Sequence, residues 1–422
     1  MALAGVSVQF ASETTLTTLG FVAGGILLGT VSGLIPGLHA NNFALLLAAG
    51  APHVPGPPAL VGVSMLAAGV VHTFLDVVPA LSLGVPDPAF APGALPGHRL
   101  VLAGQGREAL RLSALGSGLA VFFALPRALP VTRAMTWGYP IIDAHLWVVL
   151  GTIGLALVVG EPTPRRKLWA VVILTASSAL GVATLDLPAR GLFPTGDLLM
   201  PLFAGLFGAP VLLTAMDGAG VPEQATAVVT SSKTLVCGTA LAGTLSGAIV
   251  GYLPGVSSAI AATAVVPVLP DAERTRGFIV ATSGVNTANT IFALFALVSL
   301  GTPRTGVLVA LDDAGVPLNL PVLLSGITIA AAVGFVLVPR LGDWYLETVG
   351  RLDYTLLSLV VLSLLIALAW AFAGLFGVCV LVVATVLGLV PVRVGTRRVH
   401  LMGVLLGPLV LRDVCANLLV CW

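Results

Sequence analysis

The sequence predicts an all-α polytopic membrane protein made of two structural repeats, and three observations lead to this fold class. Hydrophobic residues make up 57% of the chain and charged residues 9%, whereas about a quarter of the residues in a soluble domain are charged. The apolar runs are continuous rather than alternating, which indicates helices and not barrel strands. A Pro-Gly motif occurs twice, about half the chain apart. We therefore expect a multi-pass protein of the cell (plasma) membrane, with nearly the whole chain in or at the lipid bilayer.

The repeated motif reads G-x-x-x-G-x-x-P-G and begins at Gly29 and again at Gly247. A Gly-x-Pro element follows each copy at nearly the same spacing. These correspondences predict two membrane repeats, residues 1–210 and 211–422, within a single integral membrane domain. We expect the repeats to be inverted relative to each other, as in many membrane proteins built from paired repeats.

The apolar runs give the membrane elements in order. The longer runs cover residues 16–35, 59–83, 112–125, 146–159, 168–182, 198–213, 225–245, 278–300, 320–338, 356–389 and 399–420. Runs 43–51 and 260–269 follow the two Pro-Gly motifs and are too short to cross about 30 Å of hydrocarbon at ~1.5 Å per residue. We therefore expect broken or re-entrant helices at the motifs, and roughly ten to twelve membrane elements in all.

Four groups of basic residues lie between the apolar runs, and the positive-inside rule places them in cytoplasmic loops. They are Arg99, Arg107 and Arg111; Arg165, Arg166 and Lys167; Arg274 and Arg276; and Arg393, Arg397 and Arg398. The net charge of +1 gives no indication of nucleic-acid binding, and we expect none.

The Pro-Gly motifs predict a ligand site. Proline lacks an amide hydrogen and glycine allows unusual backbone angles, so each motif should interrupt a helix. A membrane tolerates such a break only where it is packed in protein or lines a cavity. The helix that follows directs free amides and the positive end of its dipole at the break, which favours an anion. The expected anion-binding residues are Gly37, His39, Asn41 and Asn42 after the first motif, and Gly255, Ser257 and Ser258 after the second.

Three further residues in the second half are expected to bind the same anion. The carboxamides of Asn286 and Asn289 lie in an otherwise apolar span and can hydrogen-bond to a carboxylate. Arg304 follows the second Gly-x-Pro element, and its planar guanidinium suits carboxylate or phosphate. These side chains extend the predicted substrate site beyond the breaks.

A coupling ion, Na+ or H+, is expected at a second set of residues. Asp76 is an ionisable group within an apolar span, which is costly and usually functional. His72 lies one turn before it, and Thr290 lies in the matching span of the second half. We expect these three residues to carry the ion.

Each of these features also has a structural interpretation. A Pro-Gly pair can act as a kink alone, and glycines four residues apart are typical of close helix packing. His39 and His72 can serve as structural hydrogen-bonding residues, and Arg304 as a loop residue at the membrane face. Repetition of the motif in both halves favours the functional interpretation of the breaks.

The stretch LLGTVSGLIPGLHANNFALLLA, the LGVP element after it and the loop GHRLVLAGQGREALRLSALGSGLA resemble the large membrane subunit of tripartite tricarboxylate transporters, the TctA family. The resemblance covers about residues 16–125 and 243–338. It implies a permease that works with an extracytoplasmic binding protein and a small membrane subunit. The chain departs from the family's P-G-x-G pattern at His39 and Ser257, and Arg304 replaces a glycine after the second Gly-x-Pro element. The substrate is therefore left open.

Together these features lead us to expect a secondary active transporter for a small organic anion, a di- or tricarboxylate, that works by alternating access. One alternative changes the cargo: the element PGVS at 254–257 also resembles that of the polyprenyl-phosphate translocases of the DUF368 family. An intramembrane enzyme would need an acid–base pair, a nucleophile motif or a metal cluster. The sequence shows none of these, so we expect no catalytic residue, no metal site and no cofactor besides the coupling ion. A homodimer is compatible with the sequence.

Overall fold

The computed structural model describes residues 2–3, 6–7, 12–36, 38, 40–84, 94–192, 198–216, 221–253, 256, 258–265, 269–270 and 273–418. Two strands of two residues each, β1 Ala2–Leu3 and β2 Val6–Ser7, pair in antiparallel fashion. The other elements in the described residues are helices, so the prediction of a helical fold is confirmed.

The helices follow the apolar runs of the sequence. In the first half they are α1 Ser12–Gly33, α2 Ala40–Gly50, α3 Pro58–Leu75, α4 Val77–Leu83, α5 Ala94–Leu102, α6 Gly106–Ala144, α7 Leu146–Val159 and α8 Pro164–Thr184. In the second half they are α9 Leu199–Phe203, α10 Ala209–Ala215, α11 Lys233–Tyr252, α12 Ser258–Val265, α13 Arg274–Leu300, α14 Gly306–Asp313, α15 Leu320–Val349, α16 Tyr354–Val394 and α17 Gly403–Leu418. Helix α16 is interrupted at Gly374, whose backbone angles (φ 63°, ψ −158°) are not helical. A π-helical turn Ala204–Gly208 joins α9 to α10, and 3-10 helices cover Ala51–His53 and Arg398–Met402.

The polytopic membrane class is also confirmed. Within the described residues, nine helical segments are long and apolar enough to cross a membrane. Three shorter apolar helical segments, at residues 43–53, 146–159 and 199–214, lie among them.

Several elements differ from the predicted runs. Helices α5 and α14 lie where no run was predicted. The run 112–125 is part of α6, whose 39 residues continue through three prolines. At ~1.5 Å per residue this helix is about 58 Å long, well beyond the hydrocarbon thickness. The run 225–245 becomes helical only at Lys233, because Ser232 caps α11 by accepting a hydrogen bond from the Leu235 amide at 3.2 Å.

Helix pair α3–α4 and helix α13 are the most deeply buried of these candidate spans. Asp76 lies between α3 and α4 with helical backbone angles (φ −58°, ψ −25°), so residues 58–83 form one nearly continuous helix. The pair ends at Gly84 and α13 ends at Gly301, both with φ of 65°. This left-handed conformation favours glycine at a helix end, which explains the first residue of each Gly-x-Pro element.

The motif glycines allow α1 to approach α3, and α11 to approach α13. A Cβ atom on Gly33 would lie 2.8 Å from the Cβ of Leu75, and one on Gly251 would lie 2.8 Å from the Cβ of Phe292. Leu75 and Phe292 stand at equivalent positions of the two halves when the Gly-x-Pro elements are aligned, so glycines of the two motif copies face matching positions. The spacing of the motif glycines therefore allows close helix packing, which is the structural interpretation of the motif.

The order of contacts along the helices gives their relative directions. Helices α6 and α13 run in the same direction, because Glu108 contacts Arg276 and Ser117 contacts Ser283. Helices α6 and α15 run in opposite directions, because Arg111 contacts Asp343 and Gly118 faces Phe335. Helices α3 and α15 run in the same direction, because Val63 faces Gly326 and Phe74 faces Gly334.

Candidate functional site

The first break in the helices lies beside α3. His72 of α3 is fully buried, and its Nδ1 lies 2.9 Å from Ser32 Oγ near the end of α1. Its ring stacks on that of Phe43 in α2, with centroids 5.2 Å apart and an interplanar angle of 11°. His72 therefore links the helices on both sides of the break.

Asp76 contacts the second half of the chain where α3 passes into α4. It is 6% exposed, and its Oδ2 accepts a hydrogen bond of 3.4 Å from Asn286 Nδ2 of α13. Thr290, one turn further along α13, is also buried. Sequence analysis assigned Asn286 to the substrate and Asp76 to the ion, and the structure brings these two side chains together. A buried carboxylate is costly unless hydrogen bonds or a cation compensate it.

The N-terminus of α14 lies against the middle of α3. A Cβ atom on Gly69 of α3 would lie 2.8 Å from Val307 Cγ2. The Gly306 amide donates a hydrogen bond to Asn41 Oδ1 of α2 at 3.1 Å. Thr305 is the N-cap residue, yet its side chain makes no capping hydrogen bond. A helix thus begins beside the most deeply buried span, with the positive end of its dipole inside the protein.

Arg304 comes immediately before this helix start and is half-buried. Its Nη2 donates a hydrogen bond to the hydroxyl of Tyr139 on α6, and its guanidinium lies 5.5 Å from the centroid of that ring. Tyr139 in turn donates to Asp143 Oδ1 at 3.0 Å. The buried Nε of Arg304 has no hydrogen-bond partner in the described part of the structure. Helix α6 therefore positions the guanidinium and leaves one donor unused.

More buried polar atoms near α13 and α14 have no hydrogen-bond partner among the described residues. They are Thr287 Oγ1, Asn289 Oδ1, Thr302 Oγ1 and Thr305 Oγ1. Buried polar atoms in native proteins are nearly always paired, so these oxygens can take a ligand, an ion or water. Hydroxyls can donate to a carboxylate, and hydroxyl and carboxamide oxygens can both coordinate a hard cation.

His98 of α5 fixes the end of α4. Its Nδ1 lies 2.7 Å from the Leu81 carbonyl oxygen, and because a carbonyl only accepts, this nitrogen carries the hydrogen. Burial lowers the pKa of His98, and the hydrogen bond to Leu81 offsets part of that shift. His98 is therefore neutral at pH 7.

Several predicted site residues lie outside the part of the chain that the structure describes. Gly37, His39, Gly255 and Ser257 lie outside the described residues, and only the backbone of Asn42, within α2, is described. Ser258 is buried at the start of α12. The role of the residues directly after the Pro-Gly motifs stays a prediction.

Sequence analysis missed three residues that hold the site together, namely Ser32, Phe43 and Tyr139. Ser32 was detectable, because it is a polar residue inside the first motif. Tyr139 was not, since it is 165 residues from Arg304 in sequence and meets it only through the packing of α6.

Comparisons with known proteins identify a transporter family. A family model described as the tripartite tricarboxylate transporter TctA family matches residues 19–403. The chain is 25% identical over 394 residues to an uncharacterised protein of Methanocaldococcus jannaschii, an alignment that covers 92% of this chain and 96% of that protein. No solved structure matches the chain.

Proposed function

The chain belongs to the tripartite tricarboxylate transporter TctA family, and from this premise we propose that it is a secondary active permease for a di- or tricarboxylate. The permease works by alternating access in the plasma membrane. Its family is the large membrane subunit of tripartite systems, so the proposed partners are an extracytoplasmic binding protein and a small membrane subunit.

Inverted repeats would supply the two matching arms that alternating access needs. Since α3 runs with α15, α15 runs against α6, and α6 runs with α13, the contact order gives α3 and α13 opposite directions. Matching glycine packing against equivalent positions of α3 and α13 supports the equivalence of these two helices. Opposite directions of equivalent helices support an inverted relation between the halves.

The observation that carries the anion proposal is the start of α14 beside the middle of α3. The helix dipole, the Asn41 carboxamide and the unused Nε of Arg304 lie at or next to that start. Together they can hold a carboxylate group of the substrate by hydrogen bonds and charge. The predicted residues after the Pro-Gly breaks would complete the site.

The proposed ion site is the contact between Asp76 and Asn286, where the two halves meet. A carboxylate in a membrane span can bind Na+ or a proton and so lose its net charge. The proposal is that this neutralisation changes the packing between α3–α4 and α13, and thereby couples the ion to the substrate.

A thermal-shift screen of the purified protein tests the proposal, because ligands that bind only the folded state raise its unfolding temperature. The ligands are citrate, other di- and tricarboxylates, and polyprenyl phosphate, each with and without sodium. We expect stabilisation by a carboxylate, and Arg304→Gln should need about tenfold more ligand because charge-assisted hydrogen bonds are lost. Arg351→Gln, at an exposed arginine, is the matched control and should behave as the wild type.

Two outcomes would overturn the proposal. Stabilisation by polyprenyl phosphate and by none of the carboxylates would indicate a lipid translocase. If folded Arg304→Gln protein is stabilised by carboxylates as strongly as the wild type, the substrate does not bind at the start of α14.

A further inference from the structure

A second group of buried charges lies where the α7–α8 loop meets the segment between α16 and α17. Glu161 Oε1 accepts hydrogen bonds from Arg397 Nε at 2.9 Å and from His400 Nε2 at 2.8 Å. Burial raises the pKa of Glu161, but the hydrogen bonds from His400 and Arg397 outweigh burial and lower it. Glu161 is therefore an anion whose charge Arg397 already balances.

Arg398 beside them carries a charge that the described residues do not balance. Its side chain is buried, with the residue only 5% exposed, and its Nε and Nη1 have no hydrogen-bond partner within the described part of the chain. A buried guanidinium stays protonated and is costly without an acceptor. The arrangement therefore suits an anion from outside the protein.

The surrounding loops reinforce the positive charge. Residues 159–168 and 390–402 contain six arginine and lysine residues and a single acidic residue, Glu161. The two loops are adjacent, since a Cβ atom on Gly395 would lie 3.5 Å from Nη2 of Arg166. Two of the predicted cytoplasmic clusters thus come together at one place.

Apolar side chains exposed at the helix surface lie next to this basic end. On α8, Leu168 is 65% exposed and Val172 is 45% exposed, one turn apart on the same face. Val392 near the end of α16 is 41% exposed. In a membrane helix such side chains face acyl chains, so the anion's neighbours include lipid.

We propose that Arg398, with Arg166 of the adjacent loop, binds the phosphate group of an anionic phospholipid at this end of α8 and α16. The planar guanidinium can donate two parallel hydrogen bonds to phosphate. Basic pockets between transmembrane helices on the cytoplasmic side commonly take anionic lipid head groups. Val399 and Leu401, on either side of His400, pack in a different hydrophobic cluster from Val71 and Val77, which lie beside His72 and Asp76.

The test compares thermal unfolding of delipidated protein in neutral detergent, titrated with phosphatidylglycerol, phosphatidylcholine or inorganic phosphate. The variants are Arg398→Met, which removes the charge, Arg398→Lys, which removes only the planar fork, and Arg393→Met, an exposed neighbour as matched control. We expect phosphatidylglycerol to stabilise the wild type, and Arg398→Met to need about tenfold more of it. Arg398→Lys should be intermediate and Arg393→Met close to the wild type.

The same experiment separates lipid binding from a purely structural role. Without anionic lipid, Arg398→Met should unfold at a temperature no lower than the wild type, because it lacks the uncompensated charge. A lower temperature together with an undiminished lipid response would contradict the proposal. Stabilisation by inorganic phosphate equal to that by phosphatidylglycerol would show that the phosphate is not held as a lipid. If Arg398→Met does not fold, Arg398→Lys decides the question. Stabilisation of Arg398→Lys by phosphatidylglycerol equal to that of the wild type would contradict bidentate binding of the phosphate by Arg398.

Discussion

Two matching helices, α3–α4 in the first half and α13 in the second, share their packing but differ in their side-chain chemistry. Both are buried, both end at a left-handed glycine and both are packed by motif glycines. With the two Gly-x-Pro elements aligned, the pairs that differ include Gly69 and Asn286, His72 and Asn289, and Asp76 and Ala293. The first half therefore supplies the ionisable groups, and the second supplies neutral carboxamides.

In these two helices the backbone packing and the side-chain chemistry are therefore set by separate residues. Small residues at the helix contacts determine how closely the helices pack in both halves. The polar residues of these helices differ between the halves, and Asp76 of the first half contacts Asn286 of the second. The proposed division places Arg304 of the second half at the anion and Asp76 of the first half at the coupling ion.

The largest expected effect on stability lies where Glu161 of the first half binds Arg397 and His400 of the second. Because the pKa of Glu161 is lowered in the folded state, its contribution is present above the unfolded value of 4.5 and is lost as the pH falls through the folded value. Glu161→Gln should cost about 3 kcal/mol at pH 7, since it removes the charge from the buried acceptor of the hydrogen bonds that Arg397 and His400 donate. The measurement is unfolding temperature against pH.

The difference between wild type and Glu161→Gln should shrink below pH 4.5. A difference that stays constant as the pH falls from 7 through 4.5 to the lowest pH at which both proteins still fold would show that the carboxylate charge does not hold the two halves together at this point.

The glycine comparison is tested by one substitution at four positions. A Cβ atom at Gly29 would lie 2.3 Å from the Ala68 carbonyl oxygen, and one at Gly247 would lie 2.7 Å from a neighbouring Cβ atom. Gly29→Ala and Gly247→Ala should each destabilise the protein by about 2 kcal/mol, because the helices must move apart. The read-out is the unfolding temperature in detergent.

Gly24→Ala in α1 and Gly238→Ala in α11 are the controls, because no atom lies within 4 Å of either added Cβ. They should stabilise the protein by about 0.5 kcal/mol through helix propensity. If only one of Gly29→Ala and Gly247→Ala lowers the unfolding temperature, the two helix pairs are not packed in equivalent ways.

The smallest expected effect concerns the contact between α6 and α13. Ser113 Oγ and Ser283 Oγ lie 2.8 Å apart and are both buried. Ser113→Ala alone should cost about 1 kcal/mol, because it leaves a buried hydroxyl without this partner. The double substitution with Ser283→Ala should cost less than the sum of the two single changes. Additive costs would show that the hydroxyls act independently.

The helices could be predicted from the sequence because a continuous apolar run in a membrane satisfies its backbone hydrogen bonds as a helix. It did not find the length of α6, because its three prolines look like helix ends yet lie within one helix. It identified Asp76 because an ionisable residue stands out in an apolar span. Tyr139 could not be assigned to Arg304, and Arg398 was assigned only to a basic loop, since their surroundings arise from tertiary packing.

In the proposed permease, Arg304 of the second half binds the substrate and Asp76 of the first half binds the coupling ion. The most direct test is calorimetric titration of citrate into wild type, Arg304→Gln and Asp76→Asn, at low and high sodium and at two pH values. Arg304→Gln should weaken citrate binding in every condition. Asp76→Asn should bind citrate but lose the dependence of its affinity on sodium or pH, because that dependence is the coupling free energy. Wild-type ion dependence in Asp76→Asn, or wild-type affinity in Arg304→Gln, would contradict the division.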